Sequence, residues 1–550
     1  MTTVARDGQD ADEKRKTERA FLLKLWGAIL LLCALTLAAI LYMNGGYFTF
    51  SLDDPYIHLA TAQQILHGHY GINTQEPAAA ASSILYPFLL VPFLALGFGQ
   101  YSALLINILA ALGAGILAVR LFREASLPVA RLPNLLWGIV SALLSFGLIL
   151  LIFMGLEHTL QIAVTLACLW GLWRFLEHGQ LSAWWVAALV TAPLVRYEGA
   201  ALLAAGVLIL VLRREWKWAA VTFLAGFGLL AGFSLFLTHL GLSPLPSSVL
   251  VKSTGAANSL AGGLAGLIAA IGATLGANLQ NPRAFPLLMG LILTIWPFLD
   301  AVRRSGNPAD WPARALTGLF CALVIAAQLA LGAFEWYPRY EAYALVIAAF
   351  GAILVYRDTV ARALSSADER HVAYFSAGMA LLFIRTVTMF FLIPQAANNI
   401  YEQQYQMHRF ITGFYRAPVA VNDLGWVSYD NPHYVLDLLG LGSETARRAR
   451  LAHPGNAAWM QQFAVERDVE LAMIYPEWFG QVPCEWVPLG ALWLSGSKVS
   501  VPVDHVTFYA IPPGDPETMR TTIRRFAATL PKGVRFDFVD PSAQSAFCRK

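Results

Sequence analysis

The stretch FTFSLDDPYIHLATAQQILHGHYGINTQEPAAAASSILYPF, residues 48–88, sets two adjacent carboxylates, Asp53 and Asp54, just beyond the first long apolar segment of the chain. Its reading decides the fold, because acids placed side by side at the end of a hydrophobic run mark a boundary between lipid and water. The remainder of the chain agrees with that boundary. Of 550 residues, 57% are hydrophobic and only 13% charged, and the mean hydropathy is positive, which excludes an ordinary soluble domain. The expected fold class is a polytopic α-helical membrane protein. A net charge of +3, carried mainly by scattered loop residues, does not suggest a nucleic-acid partner.

The tail MTTVARDGQDADEKRKTERA, residues 1–20, is polar, and the apolar run at about 21–43 is long enough to cross a bilayer. It lacks a small-residue cleavage site and reads as an anchor. Further spans are expected near 101–121, 135–154, 158–175, 182–195, 199–212, 218–240, 284–301, 314–334, 341–356 and 372–394, about eleven in all. The pair over 182–212 is short and reads as two broken or tilted helices meeting at VRYEG.

Loop charge orients the chain. Arg120, Arg123, Arg131, Arg174, Arg213, Arg214, Lys217, Arg303, Arg304, Arg314, Arg357, Arg362 and Arg370 fall on the side of the basic N-terminal tail, against Arg196, Lys252, Arg283 and Arg339 opposite. Because positive residues accumulate on the cytoplasmic side, the N-terminus is expected inside and the C-terminal region outside, in the periplasm or extracellular space. The outer loop 44–100 holds a helix at about 55–67 and a second apolar stretch, SSILYPFLLVPFLALGFG, expected to lie along the membrane surface. From about 395 the hydropathy drops, and strands VAVN, LAMIY and VTFYAI with helices near 443–468 and 516–529 indicate an outer α/β domain over 395–550. The transmembrane part is thus 21–394. Cys484 and Cys548, both in that outer domain, would be disulfide-competent there, and two thiols fit equally well.

The unusual polar residues gather on the outer side. They are Asp53, Asp54 and His58 in the first loop, Glu157 and His158 in GLEH, and Arg196, Tyr197 and Glu198 in RYEG. Lys252 follows in PSSVLVKS, and Glu335, Arg339, Tyr340 and Glu341 in FEWYPRYEAY. Each has a plainer reading. Asp54 before Pro55 has the form of a helix N-cap, Glu157 and His158 could end a helix hairpin, and Arg196 could simply pair with Glu198. Ionisable groups between short spans are costly unless they face a polar cavity, however, and every outer connection contributes some. Asp53, Asp54 and His58 are also a candidate set for a divalent cation. The rival class is a transporter or lipid flippase, which would place its charges near mid-membrane and show matched halves.

The blocks SLDDPYIHLATAQQILHGHYGIN, SSILYP, GLEHTLQ, LVRYEG and VAVNDLGWVSYD, in that order, resemble the GT-C superfamily of membrane glycosyltransferases, nearest to its bacterial arabinofuranosyltransferase branch. The resemblance implies an inverting transferase that moves a sugar, a pentose such as arabinofuranose, from a polyprenyl-phosphate donor to a cell-envelope glycan or glycolipid. It places the reaction at the outer face of the cytoplasmic membrane, among membrane lipids. It assigns the catalytic base to Asp53, with Asp54 second; the outer-side charges then make Arg196, Lys252 and Arg339 the expected donor-phosphate groups and His58, Glu157, His158, Tyr197, Glu198, Glu335, Tyr340 and Glu341 the expected substrate contacts. VAVNDLGWVSYD would put Asp423, Trp426 and Tyr429 near the acceptor, though Asp423 beside Gly425 also reads as a local turn.

Overall fold

The computed structural model describes residues 2–128, 136–252, 263–334, 337–366 and 369–539. Among these, six helices are long and apolar enough to cross a membrane: Lys16–Met43, Tyr101–Glu124, His158–His178, Trp216–His239, Pro282–Arg304 and Ala313–Leu331. A seventh candidate is the pair Ala342–Val355 and Arg357–Ser365, bent by 82°. Several of these helices present large apolar side chains outward; Leu224, Leu235, Ile292 and Trp296 are all more than half exposed. In water that surface would be untenable, whereas against lipid tails it costs nothing. The fold therefore defines a polytopic α-helical integral membrane protein carrying an α/β domain.

The remaining expected spans are divided or short. Expected span 135–154 is two helices, Leu136–Ser145 and Leu148–Met154, because Gly147 and Gly155 take left-handed conformations at φ 68° and 75°. Residue 135 itself lies outside the described residues. The 182–212 pair is two 13-residue helices, Ala183–Val195 and Ala200–Leu212, joined by extended Arg196 and a 3-10 turn over Tyr197–Gly199. At 1.5 Å per residue each is only about 20 Å long. The last expected span is also divided, into Glu369–Leu382 and Ile384–Glu402. The second of these runs straight through the domain boundary expected at 394–395.

Close approaches hold the bundle. A Cβ on Gly318 would lie 2.2 Å from the Thr294 carbonyl oxygen, so Phe285–Arg304 and Ala313–Leu331 pack almost backbone to backbone there. In the loop after the first span the helix runs Asp54–Leu66, close to expectation, and the following apolar stretch forms only a 10-residue helix, Tyr86–Ala95. The loop is pinned to the 155–157 turn: Ser51 N–H donates to the Phe153 carbonyl at 3.0 Å, and the Tyr86 hydroxyl to that of Gly155 at 2.9 Å.

The α/β domain contains a six-stranded mixed sheet in the order β2-β1-β3-β5-β4-β6. The strands are β1 (Val419–Val421), β2 (Val435–Asp437), β3 (Leu471–Ile474), β4 (Val487–Trp493), β5 (His505–Ala510) and β6 (Arg535–Phe538). β1 pairs in parallel with β2 and β3, and the other pairings are antiparallel. The expected VAVN, LAMIY and VTFYAI strands are β1, β3 and β5. Helices Glu444–Ala452, Ala458–Glu466 and Pro516–Ala527 fall where helices were expected. Asn73 of the first loop clips the edge strand, its amide donating to the Val435 carbonyl at 2.9 Å and accepting from the Val435 N–H at 3.0 Å.

Candidate active site

Asp53 and Asp54 are neighbours with different work. The helix begins at Asp54 with Asp53 in the N-cap position, one residue earlier than the sequence suggests, and Asp53 makes no side-chain cap bond. Instead Asp53 reaches into the α/β domain. Its Oδ2 accepts the Gly425 N–H at 2.6 Å and its Oδ1 the Trp426 N–H at 2.8 Å. Gly425 permits this, since a Cβ there would sit 2.1 Å from the Asp53 carbonyl oxygen. Burial, and then the neighbouring Asp423, push the Asp53 carboxyl well above the ordinary carboxylate range, against the pull of the Trp426 and Gly425 N–H groups. Asp423 is likewise raised by burial, although it accepts from Gln404 Nε2 at 2.7 Å and the Tyr475 hydroxyl at 3.3 Å. The two acids thus meet in a protonation-sensitive seam between loop and domain.

Asp54 faces the other way, into a small cleft lined by Asp54, Ile57, His58, Ala80, Ser82 and Leu441. Its side chain is 28% exposed, and its Oδ2 accepts from Arg339 Nη1 at 2.7 Å. One turn on, His58 Nε2 lies 3.1 Å from Ser82 Oγ and 3.4 Å from Glu157 Oε2. Ser82 Oγ donates to Glu157 Oε1 at 2.9 Å, and Arg196 Nη1 donates to that same oxygen at 2.6 Å. Burial raises the Glu157 carboxyl, but His58 and Arg196 together outweigh it and hold the group below its usual range. Arg196 also grips Glu198, Nη2 to Oε1 at 2.8 Å and Nε to Oε2 at 3.1 Å. Beneath both guanidinium groups lies the Tyr340 ring, 5.2 Å from Arg196 and 4.8 Å from Arg339.

The expected outer-side residues are thus brought together in two groups. Asp54, His58, Glu157, Arg196, Glu198, Arg339 and Tyr340 form one connected network, with His158 beside it, its ring 6.1 Å from that of Tyr340. Glu341 instead meets Arg283 at 3.5 Å, and Tyr197 is half-buried on the 3-10 turn. Lys252 ends the short helix Ser247–Lys252, whose Ser248 hydroxyl donates at 2.9 Å to the carbonyl of Ala81, between the cleft-lining Ala80 and Ser82. The Lys252 side chain, all of Glu335, and Cys548 with its expected pairing to Cys484 lie outside the described residues. Glu157 is fully buried, so its part is to hold His58, Ser82 and Arg196 rather than to touch a substrate.

The candidate cation set does not fit a metal. Asp53 spends both oxygens on backbone N–H groups and His58 turns to Ser82 and Glu157. Among the described residues no three His, Cys, Asp or Glu side chains stand close enough to hold an ion. Two participants escaped the sequence reading: Ser82, which nothing separates from other loop serines until its partners are known, and the Gln404–Tyr475 cradle of Asp423. The Asp423-Leu424-Gly425 turn was the available signal, since it sets an acid beside a residue that must lack a side chain.

Comparison with known proteins gives a partial picture. Residues 398–509 match a family model described as a domain of unknown function, DUF8728. No curated protein matches the chain. Among solved structures, the chain is similar to ArnT from Cupriavidus metallidurans bound to undecaprenyl phosphate, at 13% identity and a TM-score of 0.44, covering 89% of this chain and 98% of that one. It is also similar to the apo oligosaccharyltransferase of Archaeoglobus fulgidus, at 11% identity and a TM-score of 0.46, covering 94% of this chain and 77% of that one. With TM-scores under 0.5, neither likeness carries a functional conclusion to this chain.

Proposed function

We propose that the protein is a GT-C-type glycosyltransferase that moves a sugar, of the arabinofuranose kind in the resemblance of its motifs, from a polyprenyl-phosphate donor to a cell-envelope glycan or glycolipid at the outer face of the cytoplasmic membrane. The observation that supports this reading most is the pairing of a cleft-lining, 28%-exposed carboxylate, Asp54, with the Arg339 guanidinium at 2.7 Å. A glycosyl phosphate needs that combination: a base for the acceptor hydroxyl and a cation for the departing phosphate.

Within this proposal the base is Asp54 rather than Asp53, because both Asp53 oxygens are already committed to backbone N–H groups. The acceptor O–H gives its proton to Asp54 as its oxygen bonds to the anomeric carbon. The bond from that carbon to the phosphate oxygen breaks, and polyprenyl monophosphate leaves with the electron pair. A single displacement inverts the anomeric centre. Arg339, with Lys252 from the neighbouring helix, would stabilise the leaving phosphate. Arg196 pairs with both Glu157 and Glu198, and Glu157 in turn orients His58 in the cleft lining.

The test is transfer by the purified full-length protein in detergent, supplied with labelled polyprenyl-phosphate pentose and an envelope glycan acceptor. Asp54→Asn should lose about 100-fold or more of the transfer rate, as expected for loss of a general base. Wild-type turnover by that variant would return the base to another group. Movement of intact labelled lipid across a vesicle membrane, without cleavage, would favour the flippase class.

A further inference from the structure

The cleft combines three polar side chains, Asp54, His58 and Ser82, with three apolar ones, Ile57, Ala80 and Leu441. It is narrow. The cavity volume, counted for the centres of water-sized groups, is about 10 Å³, room for roughly one such group. Of the six residues only Leu441 comes from the α/β domain, and that domain fixes the width from both directions. The Asp54 helix is tied to it through Asp53, Gly425 and Trp426. The loop that carries Leu441 is tied by Asp437, whose Oδ1 accepts the Leu439 N–H at 2.8 Å and whose Oδ2 accepts the Gly442 N–H at 2.7 Å. A Cβ on Gly442 would collide with Ile72 of the loop after the first span, and one on Gly440 with the backbone of Arg447. Leu441, 7% exposed, therefore cannot retreat without unpacking its neighbours on two sides.

We propose that the cleft selects a primary hydroxyl as the acceptor, presented on a CH2–OH arm of the receiving sugar, and that Leu441 is the residue that enforces the choice. This rests on the glycosyltransferase reading and names its acceptor class. The argument is steric. During transfer the acceptor oxygen must reach Asp54 while it is bonded to its own carbon and bonding to the anomeric carbon, so two carbons share the mouth of a space that holds one water-sized group. Productive geometry leaves little slack for either. A primary carbon trails a single further carbon, which can turn away from Leu441. A secondary carbon trails two, fixed in a ring, and they cannot both avoid the fixed Leu441 side chain. The apolar lining agrees with this, because Ile57 and Leu441 offer a CH2 group contact without leaving any ring hydroxyl unpaired against them.

The experiment gives the purified full-length protein, in detergent, labelled polyprenyl-phosphate pentose with either of two acceptors. One is an octyl pentofuranoside bearing primary and secondary hydroxyls; the other lacks only the primary one. Methylation analysis of the product locates the new linkage. Wild type should join the sugar to the primary hydroxyl and use the second acceptor at least about tenfold more slowly, the scale of discrimination that a single apolar contact provides. Leu441→Ala should narrow that ratio by about tenfold and form linkages to ring hydroxyls, which a merely structural loss of activity would not do. Wild type that used both acceptors alike would overturn the proposal, as would Leu441→Ala that lowered both rates with ratio and linkage unchanged. Donor left uncleaved with every acceptor would instead bring down the glycosyltransferase reading. Should Leu441→Ala not fold, Leu441→Val, the smaller truncation, should shift the linkage in the same direction, and its failure to do so counts equally against Leu441.

Discussion

Adjacent residues on a helix point about 100° apart, so Asp53 and Asp54 were never able to share one task. Which carboxylate meets the α/β domain and which meets the cleft depends on Gly425, 372 residues away, and no local pattern carries that information. Asp53→Ala should leave the Gly425 and Trp426 N–H groups buried and unpaired, costing about 2–5 kcal/mol and lowering the thermal midpoint of the detergent-solubilised protein. The seam also sets a pH dependence. Asp53 and Asp423 are raised in the folded protein, and Asp437, pushed up to about 6 by burial, adds the same sign. Groups raised above their unfolded values contribute stability that is complete at low pH and is lost as pH climbs through the folded values. The midpoint should therefore fall from mildly acidic to mildly alkaline buffer, and Asp423→Asn should flatten the fall. A midpoint that instead rose over this range would argue that the seam carboxylates are ionised in the folded state.

At the scale of elements, hydropathy located the long spans, the three strands with strong apolar runs and the short broken pair meeting at VRYEG, but not every break. The interruption after Ser145 is a glycine conformation at Gly147 that composition cannot announce. β2 is only three residues long, and β4 contains Pro488 and Gly490, where its register with β5 shifts; both fall below what alternation can reveal. Small residues matter where helices nearly touch. Gly318→Val should force Phe285–Arg304 away from Ala313–Leu331, and overpacking of this kind costs about 1–3 kcal/mol or more. The measurement is the thermal midpoint together with recovery of monodisperse protein after extraction. A variant indistinguishable from wild type in both would mean that the two helices have room the geometry denies them.

For the whole molecule, the asymmetry of loop charge remains the argument for orientation, since helices alone do not tell inside from outside. With the N-terminus in the cytoplasm, a fluorescent protein fused after Lys550 should stay dark and alkaline phosphatase fused there should be active. The opposite pair of results would invert the chain and move the cleft to the cytoplasmic side. Convergence of these loops was legible because cations are scarce on the face expected to be outer, so Arg196 and Arg339 stood out. Their partners were not, because the division of Glu157, Glu198 and Asp54 between them is set in space.

The seam through Asp53 also governs when this machine can exist during its own manufacture. The first loop leaves the ribosome early, yet its partners at Gly425, Trp426 and Val435 follow some 360–370 residues later, roughly 20–75 s at ordinary rates of synthesis. Throughout that interval the loop lacks the backing that aims the Asp54 helix at Leu441. A nascent or prematurely terminated chain would therefore reach the membrane with its spans in place and its cleft unassembled. Completion of the last quarter of the polypeptide is what arms the first tenth.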